Sequence, residues 1–197
     1  MKYPLNLQSK IIAISPQIYV TDSDGAGVLY VKQKLLKLKE HVEVFTDNTK
    51  EKKLCDIRTS QIIDWSASYK FTDNQGNPFG AIRRKGLKSL WRARYEIYSG
   101  DSDGAPEFNV SEESVLVRFL DGLFGGLPII GFLTGYVANP TYIVTDNSGK
   151  PVMRLRKKPA LWEGKFSIES LSELSAAQQT RILVGLLMMV LLEKNRG

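Results

Sequence analysis

One cysteine and one histidine in 197 residues set the first limits on what this chain can do. Cys55 alone excludes an intrachain disulfide, and His41 alone leaves no Cys/His set of the kind that holds structural zinc. A serine triad or cysteine dyad would have to recruit that single histidine, which lies in the charged, strand-like stretch KEHVEVF, and the chain has no nucleophile elbow. Cys55, within KLCDIR, alternates as a half-buried strand residue, so small size and apolar character account for it. No GK[ST] phosphate loop is present, and the glycines between 122 and 135 do not follow a strand at dinucleotide-binding spacing. Glu112 and Glu113 follow Ser111 in the pattern of a helix's first turn rather than a catalytic carboxylate pair. These residues predict no enzyme, no cofactor and no metal centre.

A signal-peptide core is also lacking near the start, where the only apolar run, Ile11 to Ile14, is too short. With the scarcity of cysteine this predicts cytoplasmic residence. A composition of 43% hydrophobic and 24% charged residues fits one soluble domain over 1–197. The net charge of +6 is unevenly spread: residues 1–98 carry 17 basic and 10 acidic groups, 99–149 carry 1 and 7, and 150–197 carry 9 and 4.

What the chain does contain is a phrase written three times: VTDSDG at 20–25, FTDNQG at 71–76 and VTDNSG at 144–149. A shift of 51 residues carries Thr21, Gly25, Val31, Lys32, Lys34 and Leu36 onto Thr72, Gly76, Ile82, Arg83, Lys85 and Leu87. A shift of 73 carries Thr72, Gly76, Pro78, Ile82, Arg83 and Lys85 onto Thr145, Gly149, Pro151, Leu155, Arg156 and Lys158. After a two-residue deletion the match extends through Arg94, Tyr95 and Ile97 onto Lys165, Phe166 and Ile168. Each unit reads as a strand, a polar turn ending in glycine, and a second strand running into basic residues. Asp and Asn bond their own backbone in turns, and glycine supplies the positive φ of a tight hairpin. FTDNTK at 45–50 reads as a decayed fourth copy without the glycine. None of the copies continues into the alternating ligands and final glutamate of an EF-hand, so DSDG at 22–25 and 101–104 is turn chemistry.

β-like stretches fall near 17–21, 27–33, 41–46, 53–59, 62–65, 67–72, 79–85, 92–99, 106–110, 140–145, 151–157 and 163–168. So many short strands joined by turns predict a mainly β, antiparallel barrel or sandwich. The C-terminal stretch is different. Ser170 with Glu173, and Ser175 with Gln178, are helix-start signals, and good helix formers follow, predicting a helix over about 172–194. From Ile182 to Leu192 every residue except Gly185 is apolar, so this helix has no face for water and must be enclosed. A membrane span needs about 20 apolar residues, and Gln178, Gln179 and Arg181 interrupt the run. A closed barrel of about twelve strands around its own C-terminal helix satisfies both elements. Between them, near 111–138, a helix-like segment and an apolar, glycine-rich insert, LFGGLPIIGFLTGYVANP at 123–140, read as a packed lid or a partner surface.

The order of these features is similar to the Tubby C-terminal-like superfamily, in its LURP-one-related and phospholipid scramblase-like branch. The likeness rests on GNPFGAIRRKGLKSLWRARYEIY at 76–98, GKPVMRLRKKPALWEGKFSI at 149–168 and LLMMVLLEK at 186–194, and covers nearly the whole chain. It implies a twelve-stranded barrel around a hydrophobic helix. It also implies a link to lipid, since scramblase-like relatives are associated with calcium and phospholipid and Tubby relatives bind phosphoinositides through basic residues.

The residues themselves repeat positive charge at matched positions: Lys32 and Lys34; Arg83, Arg84 and Lys85; Arg156, Lys157 and Lys158. Gathered on one rim, these would attract an anionic phospholipid surface, with a protein partner as the other candidate. The expected function is a non-enzymatic, peripheral lipid- or anion-binding module. The alternatives are scramblase-like membrane activity or single-stranded nucleic-acid binding, the latter using Trp91, Tyr95 and Tyr98 beside Arg92 and Arg94. Strand alternation in LWRARYEIY instead assigns Trp91, Ala93, Tyr95 and Ile97 to the core and Arg92 and Arg94 to the other face.

Overall fold

The computed structural model of the protein describes residues 1–10, 17–32, 41–59, 67–85, 94–100, 104–113, 140–160 and 163–194. Twelve strands lie in these segments: β1 (Leu5–Lys10), β2 (Gln17–Thr21), β3 (Gly27–Lys32), β4 (His41–Phe45), β5 (Lys53–Thr59), β6 (Ser68–Thr72), β7 (Pro78–Lys85), β8 (Arg94–Tyr98), β9 (Phe108–Glu112), β10 (Thr141–Asp146), β11 (Pro151–Lys158) and β12 (Glu163–Ser170). One helix, α1 (Ala176–Lys194), follows them. Each strand pairs antiparallel with its sequence neighbours, and β1 pairs with β12 to close the barrel.

Eleven expected strands coincide with observed ones to within a few residues. The expected strand at 62–65 lies outside the described residues. The twelfth is β1, LNLQSK, whose Leu5 and Leu7 enter the core while Asn6 points outward. It supplies the seam, with Leu5 opposite Ile168 on one side and Leu7 opposite Val20 on the other. Ser111 and Glu112 end β9, opposite Ile143 and Tyr142, and of the expected first turn only Glu113 is helical. The insert expected beyond them falls outside the described residues from 114 to 139.

The repeated phrase forms the same turn three times. Asp22, Asp73 and Asp146 each accept two backbone N–H bonds on Oδ1, from the second and fourth residues onward, at 2.8–3.1 Å. Gly25, Gly76 and Gly149 close the turns at φ of +82°, +85° and +85°. The fourth copy is genuine: Asp47 Oδ1 accepts the Thr49 N–H at 2.9 Å, and Lys50 occupies the glycine position at φ +62°. All four hairpins carry a register shift at the strand end entering the turn. These turns crowd one end of the barrel, here the turn end; the basic strand ends lie at the opposite, far end.

The helix α1 begins later than expected. Ser175 and Gln178 form its capping box, with Gln178 N–H donating to Ser175 Oγ at 3.2 Å and Ser175 N–H to Gln178 Oε1 at 3.1 Å. Ser170 ends β12 instead. α1 enters at the turn end, where Arg181 Nε donates to the Phe79 carbonyl at 2.8 Å and its guanidinium pairs with Glu107. By length and composition α1 could cross a membrane, but within the barrel every residue from Ile182 to Leu191 is buried, on all its faces. Their neighbours are the inward side chains of the strands, such as Leu7, Val44, Ile57, Phe71, Ile82 and Leu155. This is the enclosure that a helix without a polar face requires.

Candidate functional site

The register decides how each basic triplet is displayed. β7 places Ile82 in the core, so Arg84 two residues on is in phase with it and stands opposite core-facing Tyr95, while Arg83 and Lys85 take the outer face. β11 repeats the pattern: Lys157 is in phase with core Leu155, opposite Phe166, and Arg156 and Lys158 face outward and are exposed. Lys32 ends β3 opposite Gln17 and Glu43; Lys34 lies outside the described residues. The expected triplets are therefore outer pairs with an inward middle residue.

In the closed order, β3, β7 and β11 stand four strands apart from one another. The basic strand ends share the far end of the barrel, as expected, but they are spread around its rim in a pseudo-threefold arrangement. They do not converge on one patch.

The inward middle residue of the second repeat belongs to a polar plug at the far end. Tyr95 donates its hydroxyl to Glu193, near the end of α1. Burial raises the Tyr95 phenol strongly, reinforced by that carboxylate, whereas the charge of Arg84 acts in the opposite direction. Tyr142, from β10, is pushed up to about 12 by burial and then by the charges of Glu193 and Glu112. Arg84 Nε is buried without a hydrogen-bond partner among the described residues. The plug fixes the far end of the helix in the barrel mouth.

On the outer face of β7 and β8, Glu96 is the hub. Burial alone would raise its carboxyl, but hydrogen bonds from Lys85 at 2.7 Å and Tyr98 at 2.6 Å outweigh it and hold the group below the usual range. Arg83 lies over the Tyr98 ring, 5.3 Å from its centroid. Tyr98 is buried and its phenol is pushed up to about 12, by burial first and then by Glu96. Neither Tyr95, in the core, nor Tyr98, under Arg83, offers a face for a base to stack on. Trp91 and Arg92 lie outside the described residues.

A second cluster was not foreseen from sequence, because its members come from two strands. His41 and Glu43 project outward from β4, and Asp56 projects from β5 opposite Glu43. One potential ligand atom from each of the three lies within 4.8 Å of the others. The cation already among them is Lys53, whose Nζ lies 3.0 Å from Asp56 and 3.8 Å from Glu43, while His41 Nε2 lies 2.6 Å from Asp56. Burial raises Asp56, but the bonds from His41 and Lys53 more than offset this and leave it lowered. The arrangement reads as an ion cluster bridged by Lys53. On the other face of β5, Cys55 is fully buried, and burial pushes its thiol up to about 12, far from a reactive thiolate.

A closed antiparallel barrel of twelve strands threaded by an apolar C-terminal helix defines the class, that of Tubby C-terminal-like domains. Residues 27–123, just under half of the chain, match the model of the LURP-one-related family, which is a family of the Tubby C-terminal-like superfamily. The matched span holds the first two basic strand ends and leaves the third, on β11, outside it. No curated protein and no solved structure matches the chain.

Proposed function

We propose that this barrel is a non-enzymatic module that binds anionic lipid surfaces, peripheral to a membrane on its cytoplasmic side. The observation that carries the reading is the exposure of Arg156 and Lys158 at the far-end rim. Basic residues at an anionic membrane each contribute roughly 1 kcal/mol of attraction. A binding role also fits the two residues that catalysis would need most. Cys55 faces the core, and the partner that His41 holds is the Asp56 carboxylate rather than a nucleophile.

Single-stranded nucleic acid is the weaker reading, since Tyr95 and Tyr98 are both buried. The test is co-sedimentation with vesicles of phosphatidylcholine alone and of phosphatidylcholine mixed with phosphatidylserine or a phosphoinositide, at rising salt. Binding confined to the anionic vesicles and weakened by salt supports the proposal, because exposed charges are screened over about 8 Å at physiological ionic strength. Equal binding to both vesicle types, or none to either, overturns it.

A further inference from the structure

The three basic strand ends occupy equivalent places, so the residues standing across from them can be compared directly. Lys32 on β3 stands opposite Glu43 of β4, and Arg83 on β7 stands opposite Glu96 of β8. Arg156 on β11 stands opposite Ser167 of β12. In register, two repeats set a glutamate across from the basic position, and the third sets a serine there.

The neighbourhood follows the same division. Around Glu43 lie Lys53, Asp56 and His41 in mutual contact. Glu96 holds Lys85 and the Tyr98 hydroxyl, and Tyr98 carries Arg83 on its ring; Arg94, opposite Lys85, remains exposed beside them. Around Arg156 the register partners are neutral: Thr141 on β10 and Ser167 on β12. Lys158 stands opposite Lys165, and Lys158 Nζ donates to the amide oxygen of Asn6 on β1, 3.1 Å away. β1 then adds Gln8 opposite Lys165, and Lys10 opposite Glu163. The nearest carboxylate described on β12, Glu169, is engaged by Arg154 at 3.4 Å.

From this asymmetry we infer that the anion-binding face is the outer surface of β11, β12 and β1, centred on Arg156 and Lys158, and that Ser167 is the substitution that opens it. The inference rests on the proposed anionic-surface reading and specifies where that reading acts. The occupant is a membrane surface. Among the outward residues of this face, Asn6, Gln8 and Ser167 are small or polar and supply no aromatic platform for bases, whereas a dispersed set of cations on a convex wall suits mobile lipid headgroups. Arg83 and Lys85, which the sequence gives equal standing, are assigned to the barrel's own internal pairing.

The experiment compares full-length variants on phosphatidylcholine vesicles with and without phosphatidylserine, with circular dichroism as the fold control. Arg156→Gln combined with Lys158→Gln removes two exposed charges and should weaken binding to the anionic vesicles about 25-fold, at roughly five-fold per charge. Ser167→Glu installs the carboxylate of the other repeats and should weaken it about five-fold. Ser167 is buried, so the double glutamine variant keeps the test valid if the glutamate variant fails to fold. Arg83→Gln should change binding less than two-fold, within roughly 0.4 kcal/mol.

Wild-type protein that ignores anionic vesicles overturns the functional proposal and this inference together. Wild-type binding that survives in the double variant but falls in Arg83→Gln overturns the inference alone. Tighter, salt-sensitive binding of the wild type to an oligonucleotide than to vesicles, lost in the same double variant, rejects the membrane as occupant.

Discussion

Gly185 of α1 lies against Ile97 of β8 so closely that a Cβ built on the glycine would stand 2.9 Å from Ile97 Cδ1 and 3.8 Å from Ile82 Cδ1. The one gap in the apolar run of the helix is thus a place of close approach between helix and wall. Gly185→Leu should destabilise by about 1–3 kcal/mol through overpacking, despite the better helix propensity of leucine. Urea denaturation measures it. Leu187→Asp, which buries an unpaired charge in the same enclosure, should leave no soluble folded protein.

Lys50 holds the left-handed conformation that glycine holds in the three sister hairpins. Lys50→Gly should therefore raise stability by up to about 1 kcal/mol, the relief of strain exceeding the added freedom of the unfolded chain. Gly76→Ala should lower it by about 1 kcal/mol. A Cβ at Gly76 would meet nothing within 4 Å, so that loss reports backbone conformation alone. Shifts in urea midpoint check both signs.

Glu96 and Asp56 keep their protons less readily in the folded state than their ordinary values of 4.5 and 3.8. Groups with a lowered folded pKa stabilise the protein above the unfolded pKa, and that contribution is lost as pH falls through the folded one. Stability should thus be flat near neutrality and fall below about pH 4. Glu96→Gln should show a shallower acid loss than wild type in denaturation midpoints measured from pH 6 to pH 2.

The Cys55 thiol should resist maleimide under native conditions, given its burial and a pKa of about 12. Its labelling rate should rise with urea in step with unfolding. Rapid labelling without denaturant would show that β5 opens locally.

The barrel was readable from sequence because hairpin chemistry repeats: an aspartate that bonds its own turn and a glycine at positive φ announce three of its corners. Enclosure of the helix followed from the lack of any polar face between Ile182 and Leu192. β1 escaped notice although LNLQSK alternates cleanly, because it carries no turn phrase and only its partners β2 and β12 give it a place. The helix start was misplaced because Ser170 and Ser175 both carry capping patterns, and pairing with β11 claims the first for β12. For the site, recurrence of positive charge was visible, but the facing of Arg84 and Lys157 and the carboxylates opposite Lys32 and Arg83 are set by register. No local window contains both members of such a pair.

The seam between β1 and β12, with α1 following both, also governs how this protein can come into being on a ribosome. β1 must wait for β12, and the eleven strands before β12 have no interior to collapse on until the helix emerges. Assembly should then be a late, nearly all-or-none event that waits for α1, in which release before α1 is made yields adhesive strand edges rather than a smaller working barrel. Chaperone dependence would peak while α1 is being made, when eleven strands' worth of apolar side chains are present and the core that unites them is still in the exit tunnel.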